Sequence, residues 1–141
     1  MARWIDKVDD MKVEKVSGIT PQVAYKHKVP HEWERAATLR ELRARRLAQD
    51  DVCDADFLLR AAATHHGVDS KRACPICGSV LRNTRWVYGE VLGRRAGSAR
   101  SEKEIAEFVA EGLEFTVHTV EVCRSCRWNH LLTSEVAFRK C

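Results

Sequence analysis

The stretch "EVCRSCRWNH", residues 121–130, sets two cysteines in a C-x-x-C pattern between arginines, with a tryptophan and a histidine behind them. A second pair stands in "RACPICGSV", residues 72–80, and 45 residues lie between Cys77 and Cys123. Whether the two pairs converge decides the fold of the C-terminal half. The runs next to them are β-branched and aromatic: "VLRNTRWVYG" after the first pair, "LEFTVHTVEVC" up to the second and "RWNHLLTSEVAF" after it. A two-residue gap lets one tight turn aim both sulfurs at a single ion. Zinc in structural sites prefers four thiolates in a tetrahedron. Gly78 supplies the positive φ that such a knuckle often needs, and Pro75 stiffens the turn. Two knuckles at the ends of two β-hairpins, sharing one Zn2+, make the zinc-ribbon arrangement. The expected ligands are Cys74, Cys77, Cys123 and Cys126.

Two rival readings apply to the same residues. A thioredoxin-like redox pair needs one C-x-x-C opening a helix, and neither pair is followed by helical periodicity. Two separate metal sites would have to recruit His65, His66 or His130. Cys53 is read as a small apolar core residue and Cys141 as a free terminal thiol, neither of them a ligand.

The chain has 141 residues, 45% of them hydrophobic and 31% charged, which suits one soluble domain with extensions. No run approaches the ~20 apolar residues of a membrane span, and "MARWIDKVDDMK" lacks the apolar stretch of a secretion signal. A cytoplasmic location is expected, and in a reducing compartment six cysteines point to metal rather than disulfides. The net charge of +4 is unevenly spread. Residues 26–46 carry seven Lys/Arg against three acids, and residues 82–100 carry five Arg against Glu90 alone. Two local basic surfaces on a nearly balanced protein suggest an acidic partner.

The organisation expected is α+β: a helical N-terminal half followed by a zinc-ribbon β-domain with a short helical insertion. Residues 1–30 read as an extended arm, with Trp4 and Tyr25 as partner anchors. Residues 31–67 read as a helical hairpin. Its first helix runs through "HEWERAATLRELRARRLAQ" with Trp33, Ala36, Leu39 or Arg40, Leu42 and Leu47 recurring at threes and fours as its apolar face, and its second has the body "ADFLLRAAATHH" and ends at Gly67. "GVDSKRA" is a linker, and residues 74–138 are the ribbon. The insertion runs from about Gly93 to Gly112: a basic loop, "GRRAGSAR", then a helix capped by Ser101 with Glu104 completing a capping box. The loop arginines Arg94, Arg95 and Arg100 have no apolar reason to pack. With Arg124, Arg127 and Trp128 at the second knuckle they make the expected partner surface.

No catalytic motif accompanies the cysteines: no G-x-S-x-G, no H-E-x-x-H, no phosphate-binding glycine loop. Four sulfurs close a metal's coordination shell, so a non-enzymatic protein is expected. "DVCDADFLLRAA", "CPIC", "WVYGEVLG", "GSAR", "EFTVHTVEVC" and "CRWNHL", in that order, resemble a small family of uncharacterised zinc-ribbon proteins of high-GC Gram-positive bacteria. The resemblance covers about residues 40–133 and implies a zinc site; the family has no established activity for it to carry over. The first function expected is an accessory factor of RNA polymerase, since zinc ribbons recur in transcription machinery as rigid platforms. A ribosome-associated zinc-binding factor is the second. The third is a free-standing nucleic-acid-binding module contacting DNA or RNA phosphate; neither a membrane nor a small-molecule substrate is called for.

Overall fold

The computed structural model describes residues 23–140; the anchor proposed at Trp4 and the terminal Cys141 lie outside them. The chain enters through β1 (Val23–Pro30) and three helices, α1 (Glu32–Arg43), the single turn α2 (Gln49–Val52) and α3 (Phe57–His66). Then come β2 (Val68–Ala73) and β3 (Val80–Tyr88), a 3-10 segment at Glu90–Arg95, the short β4 (Ser98–Ala99) and α4 (Glu102–Ala110). Two long strands close the chain, β5 (Phe115–Val122) and β6 (Asn129–Arg139). All strands join one antiparallel sheet in the order β1-β6-β5-β3-β2, with β4 beside β3.

Alternation along β5 decides which face is covered by what. Phe115, Val117, Thr119 and Glu121 are buried on one face. At one end of that face α4 lays Ile105, Phe108 and Val109 against Val87, Val117, Phe115 and Ala137. Each such side chain contributes about 1.5–3 kcal/mol on burial. At the other end Leu39 and Leu42 of α1 join Leu81, Cys123 and Trp128. The opposite face carries Val120 and Val122, which pack with Ala55, Leu59 and Ala63 from α3 and the residues before it. The helices α1 and α3 thus sit on opposite faces of the sheet instead of pairing as a hairpin.

Other expectations meet the structure unevenly. The capping box of α4 forms: the Glu104 amide donates to Ser101 Oγ and the Ser101 amide to Glu104 Oε1. Gly112 follows the helix at φ 89°. The last eight residues of the expected arm, by contrast, are β1, an edge strand paired with β6 from Val23↔Arg139 to Pro30↔Thr133. The expected linker "GVDSKRA" holds β2. α1 stops at Arg43 rather than near Gln49, because Arg45 takes φ 62° and the Arg46 and Leu47 amides both turn back to the Glu41 carbonyl. Trp33, expected in the apolar face, is 86% exposed. The contact face of α1 is Arg35, Thr38, Leu39 and Leu42, and Trp33 lies on the other side of the helix.

Candidate metal centre

The register brings the two cysteine pairs to one end of the sheet. The first knuckle turns between β2 and β3, the second between β5 and β6, and Arg82 at the start of β3 lies opposite Val122 at the end of β5. The two turns share one backbone pattern. Cys74 N–H donates to the Ser79 carbonyl, and Cys123 N–H to that of Trp128. Gly78 N–H donates to the Cys74 carbonyl, and Arg127 N–H to that of Cys123. Gly78 at φ 79° and Arg127 at φ 74° hold equivalent left-handed positions. Only the glycine announces that conformation in the sequence. One further amide in each turn points at a sulfur: Ile76 N to Cys74 Sγ and Cys126 N to Cys123 Sγ, both at 3.4 Å.

The sulfurs of Cys74, Cys77, Cys123 and Cys126 all lie within 4.8 Å of one another. Two separations across the knuckles are 3.6 Å, Cys74 to Cys126, and 3.5 Å, Cys77 to Cys123. A disulfide needs about 2.05 Å, so these are not covalent pairs. Metal–sulfur bonds of about 2.3 Å in a tetrahedron put sulfurs about 3.8 Å apart, so the four fit the shell of a single ion. Cys74 and Cys123 are buried, Cys126 half-buried and Cys77 exposed. Burial pushes the Cys74 and Cys126 thiols up to about 12, while hydrogen bonding to the Ser79 side chain and backbone pulls Cys77 down to about 6. A cation among the four sulfurs would offset that burial and favour the thiolate form.

Cys53 Sγ lies 3.9 Å from Cys126 Sγ, yet Cys53 is not part of the mutually close set of four. His130 is not a ligand either. Its Nε2 faces Thr38 at 3.4 Å, its Nδ1 faces the Leu131 carbonyl at 2.8 Å, and its ring stacks on Trp128. His66 lies 3.8 Å from Glu104, away from the sulfurs.

A buried network stands behind the second knuckle. Glu121 is fully buried and its Oε2 accepts from Arg35 Nε at 2.6 Å and from Trp128 Nε1 at 2.8 Å. Trp128 is also fully buried and packs among Cys74, Cys123 and Leu81. This corrects the expectation that Trp128 presents an aromatic surface beside the knuckle. The composition around it signals a solvent-facing turn, but the strand bridge between Trp128 and Cys53 turns it inward.

The other expected partner residues divide. Arg94, Arg124 and Arg127 are exposed. Arg95 and Arg100 are held by the fold: Arg95 pairs with Glu111, Arg100 with Glu104, and both guanidinium groups lie over the Phe108 ring at 4.7 and 5.2 Å. The loop does have an apolar reason to pack, in the Phe108 ring under Arg95 and Arg100, and Leu92 just before it is buried in the α4 core. Tyr25 is likewise internal. Its hydroxyl accepts from Arg85, which also pairs with Glu135 and Glu102, and burial raises its phenol above the usual range.

The family described as a family of unknown function, DUF5318, matches residues 23–140. An uncharacterized protein of Mycobacterium bovis is 45% identical over 103 residues, spanning 72% of this chain and 75% of that relative. An uncharacterized protein of Mycobacterium tuberculosis matches with the same identity and coverage. No solved structure matches the chain. Among the described residues no helix is long and apolar enough to cross a membrane.

Proposed function

Because the chain belongs to the DUF5318 family, whose function is unknown, its role has to be read from its own residues, and we propose that it is a non-enzymatic zinc-ribbon factor that docks on RNA polymerase. The observation that carries the proposal is the closed set of four sulfurs joining two hairpin ends. Four thiolates are the donor set that zinc favours in structural sites, and they leave no coordination position for water or substrate. Zinc held there would supply a cross-link between the β2–β3 and β5–β6 turns rather than a Lewis acid. The second knuckle carries Arg124 and Arg127 into solvent. A rigid turn bearing fixed cations is suited to recognising a partner's acidic surface.

The choice of RNA polymerase rests on analogy with other small zinc ribbons, which serve transcription machinery as docking platforms. The test is affinity purification of the tagged protein from its native cells at two salt concentrations, with zinc measured on the purified chain. One zinc per chain and stoichiometric polymerase subunits support the proposal. Ribosomal proteins in their place would move the assignment to the ribosome. A chain that purifies without metal would remove the ribbon itself.

A further inference from the structure

Among the described residues the outer face of α1 has no structural task, and its composition is that of a contact surface. The inner face engages Glu121, His130 and the cluster around Cys74 through Arg35, Thr38, Leu39 and Leu42. Turning the helix half a revolution brings up Trp33, Ala36, Arg40 and Arg43, at the spacing of one helical stripe. All four are exposed, and Trp33 at 86% is the most exposed large hydrophobic residue among those described. An indole left in water forgoes the burial that makes tryptophan useful to a fold. The sequence pattern alone would have spent it in the core.

Charge says what kind of partner the stripe fits. The acids along α1 are already engaged: Glu32 with Arg72, Glu34 with His31 and Glu41 with Arg46. Arg40, Arg43 and the exposed Arg45 meet no carboxylate among the described residues. The stripe therefore runs from an apolar anchor to uncompensated positive charge. At 1.5 Å rise per residue, Arg40 and Arg43 stand about 10 and 15 Å along the axis from Trp33.

We infer that this stripe docks α1 into an acidic protein surface. The surface offers an apolar cleft for the Trp33 indole and carboxylates about 10–15 Å from it along the helix. Tryptophan and arginine are the residues that most often dominate such contacts. A nucleic acid fits less well. The stripe offers only Arg40, Arg43 and Arg45 as unpaired cations among the described residues, few for binding dominated by phosphate contacts, whereas the Trp33 indole suits an apolar cleft. The inference deepens the docking proposal and rests on it for the partner's name alone.

The test is site-specific photo-crosslinking in native cells. The full chain carries Trp33→p-benzoylphenylalanine, and a control carries the same group at exposed Thr64 on α3. The expected result is one saturable protein adduct from position 33, absent from position 64, mapping to a peptide with flanking Asp or Glu. The double change Arg40→Glu, Arg43→Glu should cut its yield at least tenfold while the melting temperature stays put. An adduct on a polymerase subunit supports both proposals. An adduct with these properties on another protein keeps the α1 assignment and removes the polymerase. A nuclease-sensitive adduct, an adduct between two copies of this chain, indifference to the charge reversal, or labelling no different from position 64 overturns it.

Discussion

Replacing Arg35 with alanine should destabilise the protein by about 3 kcal/mol, although Arg35 touches neither the sulfurs nor the sheet backbone. The perturbation acts on Glu121, which has no exposed surface. Its Oε2 would keep the Trp128 indole N–H at 2.8 Å as a neutral donor and lose the guanidinium at 2.6 Å. Its Oε1 is already without a hydrogen-bond partner. Breaking a buried pair from one side costs about 3–5 kcal/mol, because the surviving charge is stranded. Arg72, 3.9 Å from Oε1 and 41% exposed, offsets part of that and puts the figure at the low end. In a chain of this size such a loss is a fall of roughly 10 °C in Tm. Changing both partners, Arg35→Leu with Glu121→Leu, removes the charge as well. What remains is an unpaired Trp128 N–H, worth about 1–3 kcal/mol. Zinc affinity should also fall about 10- to 100-fold in the single variant, since Trp128 supplies the carbonyl that accepts from Cys123 N–H. The assay is denaturant unfolding of zinc-saturated protein with competitive chelator titration. A single variant within 1 kcal/mol of wild type, or a double variant that loses more than the single, would refute the reasoning.

Cys123→Ser should lose stoichiometric zinc and, with it, the cooperative unfolding transition, read by elemental analysis and circular dichroism. Cys53→Ala should keep one zinc per chain, because Cys53 stands outside the close set of four despite its 3.9 Å approach to Cys126; loss of metal there would mean a misassigned shell. Arg94→Ser, Arg124→Ser and Arg127→Ser together should weaken retention of the partner, more so as salt rises. The left-handed φ of Arg127 makes that replacement the one to check separately for melting temperature. At Glu104 burial opposes ionisation, but the Ser101 amide, Arg100 and the Ser101 hydroxyl outweigh it and hold the carboxyl below its ordinary value. A depressed carboxylate contributes stability that is present above its unfolded pKa and is lost as pH falls through the folded one. Thermal melts of Glu104→Gln should therefore lose less stability than wild type on acidification below about pH 4.5.

The cysteine spacing, the strand texture on both sides and the Ser101–Glu104 box could be read from the sequence because each is a local signal. A C-x-x-C turn, a β-branched run and a capping box name their own geometry within a few residues. What stayed hidden was long-range. Nothing within residues 23–30 says that they pair with residues 133–139, and a short polar strand at a sheet edge looks like an arm. Trp33 and Trp128 were assigned to opposite environments from those they occupy, one at a helix start and one beside arginines. Both fates depend on which side of an element meets a neighbour, and periodicity without its phase does not fix that. Arg127 shows the same limit at the level of one residue. It holds the φ that Gly78 holds in the other knuckle, and no composition rule reveals an arginine in that role.

The position of the four sulfurs within the core bears on how far a metal's influence extends. A ribbon attached to a separate helical unit would stabilise only its own hairpins. Here the knuckle cysteines Cys74 and Cys123 share one apolar cluster with Val52, Leu39, Leu42 and Leu47 from the helical segment. The segment between α2 and α3 also bonds directly to the second knuckle: Ala55 N–H donates to the Arg127 carbonyl, and Asn129 Nδ2 donates to Asp54. The apolar contacts of α1 and of the turn α2 are therefore made with the knuckles themselves, whereas α3 and α4 keep clusters of their own. The strand β1, carrying the chain into α1, is sewn to β6, which begins three residues after Cys126. Cysteine cluster, sheet and α1 are thus joined, so a metal bound by the four sulfurs would help fix the orientation of the Trp33 stripe relative to Arg124 and Arg127. A metal held by these four sulfurs would bear on a surface that lies well beyond its own ligands.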